Sequence, residues 1–255
     1  MVENKLNAMP LVSIVMPAYN SVKTIGQSID SVRVQTFPDW ELLVVDDCSS
    51  DATCSIVGRY ASIDKRINLI QQPMNAGPAR ARNVALSVAR GRYIAFLDSD
   101  DCWLPKKLER QVGFMIEKKS VLSYTLYRRF MADIEQPESI VKLPSSFTYG
   151  ELLKNTGIGC LTAMINRELS GPIEFSLIRH EDYALWLSIL KRGIVANGLM
   201  EDLGRYRVSK KSVSGNKFKS ALWVWNIYRN VEKLSFFCAV WYFSQYAWNA
   251  YKKNR

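Results

Sequence analysis

The chain has 255 residues, of which 48% are hydrophobic and 23% charged, with 13 glycines and 9 prolines. This composition excludes a disordered, collagen-like or disulfide-scaffold protein, and it fits one large domain, alone or with a small appendage. Lysine and arginine outnumber aspartate and glutamate by 34 to 24, which gives a net charge of +10. The excess favours phosphates, nucleic acids or anionic lipids as partners.

Cysteine usage and the first residues indicate the compartment. Five cysteines are scattered without a CxxC pair, beside one histidine, which favours free thiols in a reducing compartment over a zinc site. The first ten residues include Glu3 and lack the features of a secretory signal, so we expect a cytoplasmic protein. The most apolar window, residues 234–248, is shorter than the roughly 20 residues that cross a bilayer. It is suited to lie on a membrane rather than to span it.

Apolar runs predict four strands in the first half, with helices between them. The strands are predicted at residues 11–16, 41–45, 66–70 and 93–97, and the helices at 25–32, from about 51 to 61, and at 79–89. Strands that alternate with helices predict an open, largely parallel α/β sheet. The loops that follow the four strands should therefore face one ligand-binding crevice.

The pattern changes after Asp98. We predict a helix at 105–118, a strand at 121–130, an irregular segment at 133–146, a strand at 161–165 and a helix at 182–191. From Asn216 onward a single long aromatic helix is expected, which contains Trp223, Trp225, Trp241 and Trp248.

The turn after the first strand is Pro17-Ala18-Tyr19-Asn20 and not a GxGxxG, and no GxxxxGK[ST] occurs in the chain. These absences argue against Rossmann dehydrogenases and P-loop NTPases. An aromatic ring and an amide at this position can stack on a nucleobase and form hydrogen bonds with it. The alternative is a simple turn at the end of a strand.

Two acidic clusters follow predicted strands. The carboxylates of Asp46 and Asp47 need solvent or a donor, for which the N–H of a uracil ring is suitable; alternatively they begin an Asx turn and cap the next helix. The segment Asp98-Ser99-Asp100-Asp101 brings together three acids that repel one another unless a cation compensates them. Hard oxygen ligands point to Mg²⁺ or Mn²⁺, shared with a substrate pyrophosphate. The alternative is a solvated acidic turn.

The segment 75–83 places two arginines, Arg80 and Arg82, near the start of a helix, where N–H groups and guanidinium groups suit phosphate oxygens. Residues two apart on a helix do not share a face, so one arginine is available to a ligand and the other is structural. A solvated cationic helix start is the alternative.

The ordered motifs VSIVMPAYN, ELLVVDDCSSD, NAGPARARNVAL and GRYIAFLDSDDCW closely resemble the family 2 glycosyltransferases of bacterial polysaccharide and O-antigen synthesis, over residues 12–108. The resemblance implies the GT-A fold, a nucleotide-sugar donor, most simply a UDP-sugar, and inversion at the anomeric carbon. It also implies site residues. Tyr19 and Asp47 would hold the uracil, Asp46 and Arg82 would lie by the nucleotide, and Asp98 and Asp100 would form the DxD pair that contacts ribose and metal.

The expected nucleotide-binding set comprises Pro17, Tyr19, Asp46, Asp47, Arg82, Asp98 and Ser99, with Asp100 as the ligand of Mn²⁺ or Mg²⁺. In the second half, which matches more weakly, His180-Glu181-Asp182-Tyr183 precedes an apolar helix and resembles the family's ED pair. Asp182 is expected to be the catalytic base, with Glu181 as the alternative. Both acids would also stabilise the N-terminus of a helix without any catalytic role. His180 is expected to orient or solvate rather than to catalyse.

The C-terminal tract joins Lys210, Lys211, Lys217 and Lys219 to a run of tryptophan, tyrosine and phenylalanine residues. This combination suits docking on an anionic leaflet. Packing of the aromatic residues on the catalytic domain or on a partner subunit is the alternative. Nucleic acid is not an expected partner, because the basic residues do not belong to a known reader module.

We therefore predict a GT-A domain at residues 1–215, with a nucleotide-sugar half at 11–108 and an acceptor half at 109–215, and a basic aromatic tail at 216–255. The expected enzyme transfers a sugar to a lipid-linked saccharide on the cytoplasmic leaflet, as a peripheral membrane protein. One alternative is a sugar-nucleotide nucleotidyltransferase, whose glycine-rich loop with a lysine is absent. Another is a non-catalytic nucleotide-sugar-binding subunit of a membrane-associated assembly complex, against which the acids at 98, 100 and 182 argue.

Overall fold

The computed structural model describes residues 9–131, 133–208 and 217–252. The elements of the first half are, in chain order, β1 (Val12–Ala18), α1 (Ile25–Arg33), β2 (Trp40–Asp46), α2 (Thr53–Ile63), β3 (Ile67–Gln71), α3 (Pro78–Val88), β4 (Tyr93–Phe96) and β5 (Cys102–Trp103). Those of the second half are α4 (Lys107–Lys118), β6 (Leu122–Phe130), β7 (Ile140–Val141), β8 (Ser146–Phe147), α5 (Tyr149–Leu153), β9 (Met164–Asn166), α6 (Arg167–Ser170), α7 (Glu181–Leu190), β10 (Ala196–Arg207), α8 (Lys217–Asn226) and α9 (Phe236–Lys252).

The strands form one mixed sheet in the order β3-β2-β1-β4-β9-β6-β10-β5. The first four of these are parallel, as the sequence predicts. Because β2 and β4 lie on opposite sides of β1, the chain reverses direction across the sheet at this point. A crevice opens there at the carboxyl ends of the strands, where α/β proteins bind ligands.

The short strand β9 connects the two halves of the sheet, since it runs antiparallel to both β4 and β6. Its predicted range of 161–165 is only partly correct, because residues Cys160–Thr162 form a 3₁₀ turn. The irregular segment at 133–146 contains the short strand β7 and the first residue of β8, which pair with β6 and β10.

The longest strand, β10, has no counterpart in the sequence predictions. It pairs in parallel with β6, but the register shifts between Leu199 and Asp202 and again between Asp202 and Gly204. These irregularities break the alternation of apolar and polar residues that marks a half-buried strand. The signal used to find the other long strands is therefore missing from this segment.

The apolar residues form two clusters. One contains Ile14 and Met16 of β1 with the inner faces of α1, α2 and α4, and the other contains Val15 with α3 and α7. Consecutive residues of β1 therefore belong to different clusters, as expected for a strand whose side chains alternate between the two faces of a sheet. Strands β1, β2 and β4 are thus buried on both sides and provide a rigid base for the loops that follow them.

The C-terminal region differs from the single long helix predicted from residue 216. Helix α8 continues into a π-helical turn, Ile227–Val231, and a break at 232–235 separates it from α9. Glu232 lies at this break and is buried, where Lys191 pairs with it at 3.0 Å and the Tyr149 hydroxyl donates to it at 2.6 Å. The break is thus held by α5 and by the end of α7.

The C-terminal helices pack on the same core as α7, because Val224, Ile227, Tyr228 and Ala239 are buried in its cluster. Lys210 and Lys211 of the predicted basic tract, and the predicted boundary at residue 216, lie outside the described residues, as does the side chain of Lys217. No helix in the described parts of the chain combines the length and the apolar character that crossing a membrane requires.

A close approach at Gly91 holds the end of α3 against the sheet. The Gly91 amide donates to the Ser13 hydroxyl at 2.8 Å, and that hydroxyl donates to the buried Glu41 carboxylate at 2.6 Å. A Cβ atom at position 91 would lie 2.8 Å from the Val12 carbonyl carbon and closer still to the Ser13 amide nitrogen. Only glycine fits this position without moving the backbone of β1.

We expect Gly91→Ala to lower the free energy of unfolding by about 1–3 kcal/mol, as overpacking does in other cores. Gly113→Ala is the matched control, since a Cβ there meets nothing within 4 Å on α4. Because alanine favours helices over glycine by up to about 1 kcal/mol, this control should stabilise the protein. Urea unfolding followed by circular dichroism measures the free energy of unfolding of both variants. Equal changes in the two variants would contradict the close approach at Gly91.

Candidate active site

The loops that follow β1, β2 and β4 are tied together by side chains at the crevice. The Ser21 and Ser99 hydroxyls lie 2.7 Å apart, the Ser21 amide donates to the Thr53 hydroxyl at 2.8 Å, and the Asn20 amide donates to the Ser49 hydroxyl at 2.9 Å. The sequence correctly predicts that these loops share one crevice. Ser99 in particular joins the acidic loop to the loop after β1.

The residues of the Pro17–Asn20 turn have different surroundings. Pro17 is buried within β1, and the Asn20 side-chain oxygen accepts from the Ser50 amide at 2.9 Å. The side chain of Asn20 is therefore used to connect loops. The Tyr19 ring is 51% exposed beside them, which leaves its face available for stacking on a base.

The two aspartates at the end of β2, Asp46 and Asp47, are both buried but differ in their hydrogen bonds. One Asp47 oxygen accepts from the Gln72 side chain at 2.7 Å and from the Ala76 amide at 2.8 Å, and the other accepts from the Gly77 amide at 2.7 Å. The chain itself therefore supplies the donors of Asp47, which fix the loop before α3.

Asp46 has fewer donors than Asp47. Its Oδ2 accepts from the Ser49 amide at 2.9 Å and the Cys54 thiol interacts with the carboxylate, whereas its buried Oδ1 has no hydrogen-bond partner among the described residues. A buried carboxylate oxygen without a donor is costly, and a ligand N–H would relieve that cost. Of the pair, Asp46 thus has the one oxygen to which no described residue donates.

Arg82 connects the acidic loop after β4 to the start of α7. Its guanidinium donates to Asp98 at 2.6 Å and to Glu181 at 2.6 Å, and it lies 5.4 Å from the centre of the Phe175 ring. The residue is 5% exposed, whereas Arg80 is exposed, so the two arginines do face apart. Burial alone would lower the pKa of Arg82, but Asp98 and the acids of α7 outweigh it and raise that pKa well above its usual value.

The acidic loop itself contains two different environments. Asp101 is buried; one of its oxygens accepts from the Arg207 amide at 2.8 Å, and the other has no partner in the part of the chain that the structure describes. Asp100 reaches solvent, yet partial removal from water and then the charge of Asp98 raise its pKa to about 6. A carboxylate whose proton affinity is raised by its neighbours is one that a cation would stabilise.

Asp182 is the second residue of α7 and accepts from the amide of Tyr183 at 2.8 Å. Burial raises the pKa of Asp182 to about 6; the charge of Glu181 adds to the rise and that of Arg82 opposes it. A carboxylate with this pKa is deprotonated at neutral pH and can accept a proton from a bound hydroxyl.

A cleft of about 1050 Å³ contains Asp182 together with Asp98 and Asp101. Its other walls are formed by β6, β7, the segment 154–161 and residues of α8 and α9. The cleft therefore extends from the acidic loop after β4, past the carboxylate of α7, to the C-terminal helices. This arrangement can place two substrates on either side of one carboxylate.

The family model described as "Glycosyl transferase family 2" matches residues 13–170. The chain belongs to glycosyl transferase family 2. It is 47% identical over 249 residues, 97% of this chain and 99% of the other, to the putative teichuronic acid biosynthesis glycosyltransferase TuaG of Bacillus subtilis (strain 168). It is 46% identical over 221 residues, 85% of each chain, to the UDP-Glc:alpha-D-GlcNAc-diphosphoundecaprenol beta-1,3-glucosyltransferase WfgD of Escherichia coli.

Solved structures support the same fold. The structure of S. aureus TarS 1-349 in complex with UDP-GlcNAc matches with a TM-score of 0.71 and 21% identity, over 92% of this chain and 71% of that one. The mannosyltransferase PcManGT from Pyrobaculum calidifontis, in complex with GDP-Man and Mn2+, matches with a TM-score of 0.70 and 20% identity, over 90% of this chain and 66% of that one. The fold is thus the GT-A fold that the sequence motifs predict.

Several residues of this glycosyltransferase site escape sequence reasoning. Arg207, whose side chain donates to the Asp100 carbonyl at 2.8 Å, ends the unpredicted strand β10. Cys160 lines the cleft, and burial raises the pKa of its thiol well above the usual value. No local motif marks Arg207 or Cys160. His180, which the sequence predicts to orient or solvate, has a buried Nε2 with no partner among the described residues, and its ring lies 5.4 Å from that of Trp223 between centres.

The described residues contain no group of three or more His, Cys, Asp or Glu side chains able to hold a metal ion. Mg²⁺ and Mn²⁺ sites at substrate phosphates usually take only one or two carboxylates from the protein. The solvent-accessible Asp100 beside Asp98 fits that pattern, with the remaining ligands left to the substrate and water.

Proposed function

We propose that this family 2 glycosyltransferase transfers a hexosyl group from a UDP-sugar to a hydroxyl of a saccharide attached to a lipid diphosphate, with inversion. The observation that carries the proposal is the Asp182 carboxylate, which shares one cleft with the acidic loop after β4. The similarity to WfgD over 85% of each chain supports the donor and the acceptor class.

In the proposed reaction the acceptor hydroxyl oxygen forms a bond to the anomeric carbon while the bond from that carbon to the UDP oxygen breaks. The hydroxyl proton passes to Asp182 on the acceptor side, and UDP leaves on the side of the acidic loop. Asp182 is favoured over Glu181 as the base because Glu181 is committed to Arg82 at 2.6 Å. The transition state resembles an oxocarbenium ion, as in other glycosyl transfers.

Asp100, together with Asp98, is proposed to hold Mn²⁺ or Mg²⁺. When bound, such an ion stabilises the negative charge that grows on the departing diphosphate. On the other side of the nucleotide, Tyr19 is proposed to stack on the uracil and Asp46 Oδ1 to accept from it. Asp47 fixes the loop before α3 that surrounds this pocket.

Helix α9 supports a location on the surface of the membrane. Residues Phe237, Val240, Trp241, Trp248 and Tyr251 are all exposed, Phe237 to 84%, and helical spacing puts them on one face. We refer to them as the α9 stripe. Aromatic residues of this kind are typical of helices that lie in the membrane interface, and the net charge of +10 favours an anionic leaflet. The proposed location is the cytoplasmic face of the membrane, in keeping with five unpaired thiols.

Asp182→Asn should lower the rate of sugar transfer by about a hundredfold or more, the usual contribution of a positioned base. UDP affinity should stay unchanged, because the side chain lies on the acceptor side. In the wild type, kcat/KM for the acceptor should fall about tenfold per pH unit below pH 6 and level off above it, since only the deprotonated carboxylate accepts the proton. A wild-type rate in the Asn variant would exclude Asp182 as the base, and Glu181→Gln would then test the alternative.

Asp100→Ala should remove the dependence of UDP binding on Mn²⁺. Isothermal titration with UDP, with and without Mn²⁺, measures this directly. We expect tighter binding with Mn²⁺ in the wild type and equal, weaker binding in the variant, because the carboxylate that joins the ion to the protein is missing. Mn²⁺-dependent binding that survives the substitution would assign the ion to other residues.

Phe237→Ser combined with Trp241→Ser should reduce binding to vesicles of 30% phosphatidylglycerol in phosphatidylcholine by about tenfold or more, because two large apolar side chains no longer enter the interface. Ile63→Ser, at an equally exposed apolar residue of α2, is the control and should have no effect. Vesicle sedimentation measures binding. If the double variant binds vesicles as the wild type does, or if light scattering shows a dimer for the wild type and a monomer for the variant, the α9 stripe is a protein interface instead.

A further inference from the structure

One side of the cleft has a concentration of positive charge that the catalytic residues do not use. Arg129 at the end of β6, Lys142 next to β7, Lys154 after α5 and Lys252 at the end of α9 all line the cleft. We call these four residues the cationic wall. The acids Asp98, Asp101 and Asp182 come from other elements, the loop after β4 and the start of α7.

Two hydrogen bonds position the elements that carry the cationic wall. The Glu138 amide donates to the Arg129 carbonyl at 2.7 Å, where the chain turns back from β6 to β7, and Lys142 follows β7 directly. The Asn249 side chain donates to the Lys154 carbonyl at 3.0 Å and joins α9 to the end of α5. Lys252 lies three residues further along the same helix, close to one turn.

Among the described residues, direct ion pairs do not take up the charge of the wall, although Asp98, Asp101 and Asp182 line the same cleft and Glu151 lies near Lys154. Glu138 also lines the cleft, but within the described parts of the chain none of the four cations forms an ion pair with an acid. Like charges that face one concave surface repel one another and concentrate anions there. Lysine and arginine on converging elements suit the oxygens of a phosphate or diphosphate.

We propose that the cationic wall binds the diphosphate of the acceptor lipid. The proposal rests on the proposed function, in which a hydroxyl of the acceptor saccharide reaches Asp182. The diphosphate of the same molecule then lies beyond the saccharide, away from the acidic loop. The donor diphosphate belongs at the acidic loop, so the wall serves the second substrate.

The surface next to the cationic wall suits a lipid chain that leaves the cleft at Lys252. The ammonium of Lys252 lies 5.2 Å from the centre of the Trp248 ring, and Trp248 belongs to the α9 stripe. Lys252 therefore connects the cleft to the exposed apolar face of the same helix. A diphosphate on the wall would place the attached hydrocarbon chain beside that face.

The test is a titration of geranyl diphosphate into protein saturated with UDP and Mn²⁺, which occupies the donor site. Geranyl diphosphate carries a lipid diphosphate without a sugar, so the result does not depend on the identity of the acceptor saccharide. Lys142→Ala combined with Lys154→Ala should weaken binding by about tenfold or more, because two charge-assisted contacts are lost. Lys65→Ala, at an exposed lysine before β3, is the matched control and should bind as the wild type does.

Inorganic pyrophosphate serves as the second ligand and should bind more weakly than geranyl diphosphate. Equal affinities would assign the wall to free diphosphate and overturn its assignment to the lipid. The proposal also fails if the wild type does not bind geranyl diphosphate, or if the double variant binds it unchanged. The titration needs no turnover, so the two proposals can fail separately. If the enzyme transfers sugar but the double variant binds geranyl diphosphate as the wild type does, only the assignment of the wall is refuted. If binding depends on the wall but no lipid-linked saccharide accepts a sugar, the proposed function is refuted.

Discussion

The buried guanidinium of Arg82 is the contact on which the arrangement of the site depends. It donates to Asp98, which follows the parallel sheet, and to Glu181, which begins the helix of the acceptor side. A buried cation between two acids holds both in place, because removal of one partner leaves an unpaired charge that costs several kcal/mol. Since Asp182 is the next residue after Glu181, this one side chain also fixes the distance between the proposed base and the nucleotide-facing loop.

The same cation sets the chemistry of its neighbours. Burial and the charge of Glu181 raise the pKa of Asp182 to about 6, and Arg82 limits the rise. The carboxylate is thereby basic enough to take a proton and still deprotonated at neutral pH. Asp100 reaches a similar pKa in the same way: partial removal from water and the charge of Asp98 raise it, and the charge of Arg207 opposes the rise. Two acids of equal proton affinity thus suit different roles, one toward a hydroxyl and one toward a cation.

The sequence predicts the nucleotide half well because its signals are local. Short apolar runs and turn residues locate β1 to β4, and parallel strands must bring their following loops together. Predictions fail where structure depends on distant contacts. The bulges that hide β10 arise from its pairing with β6. The difference between Asp46 and Asp47 depends on amides at residues 76 and 77, and the cationic wall collects side chains from residues 129 to 252.

Helix α9 shows how two functions on one helix conceal each other in a sequence. Its inner face packs on α5 and lines the cleft through residues such as Tyr246 and Ala250, so it is as apolar as the α9 stripe on the opposite face. A helix with apolar residues all round has no single stripe, and its pattern cannot distinguish packing on protein from binding to a membrane. The structure separates the two faces, and both roles fit the same helix. Because the cleft-lining face and the α9 stripe share one helix, the membrane docking that we propose for α9 would bring a lipid-held acceptor to the cleft from that side.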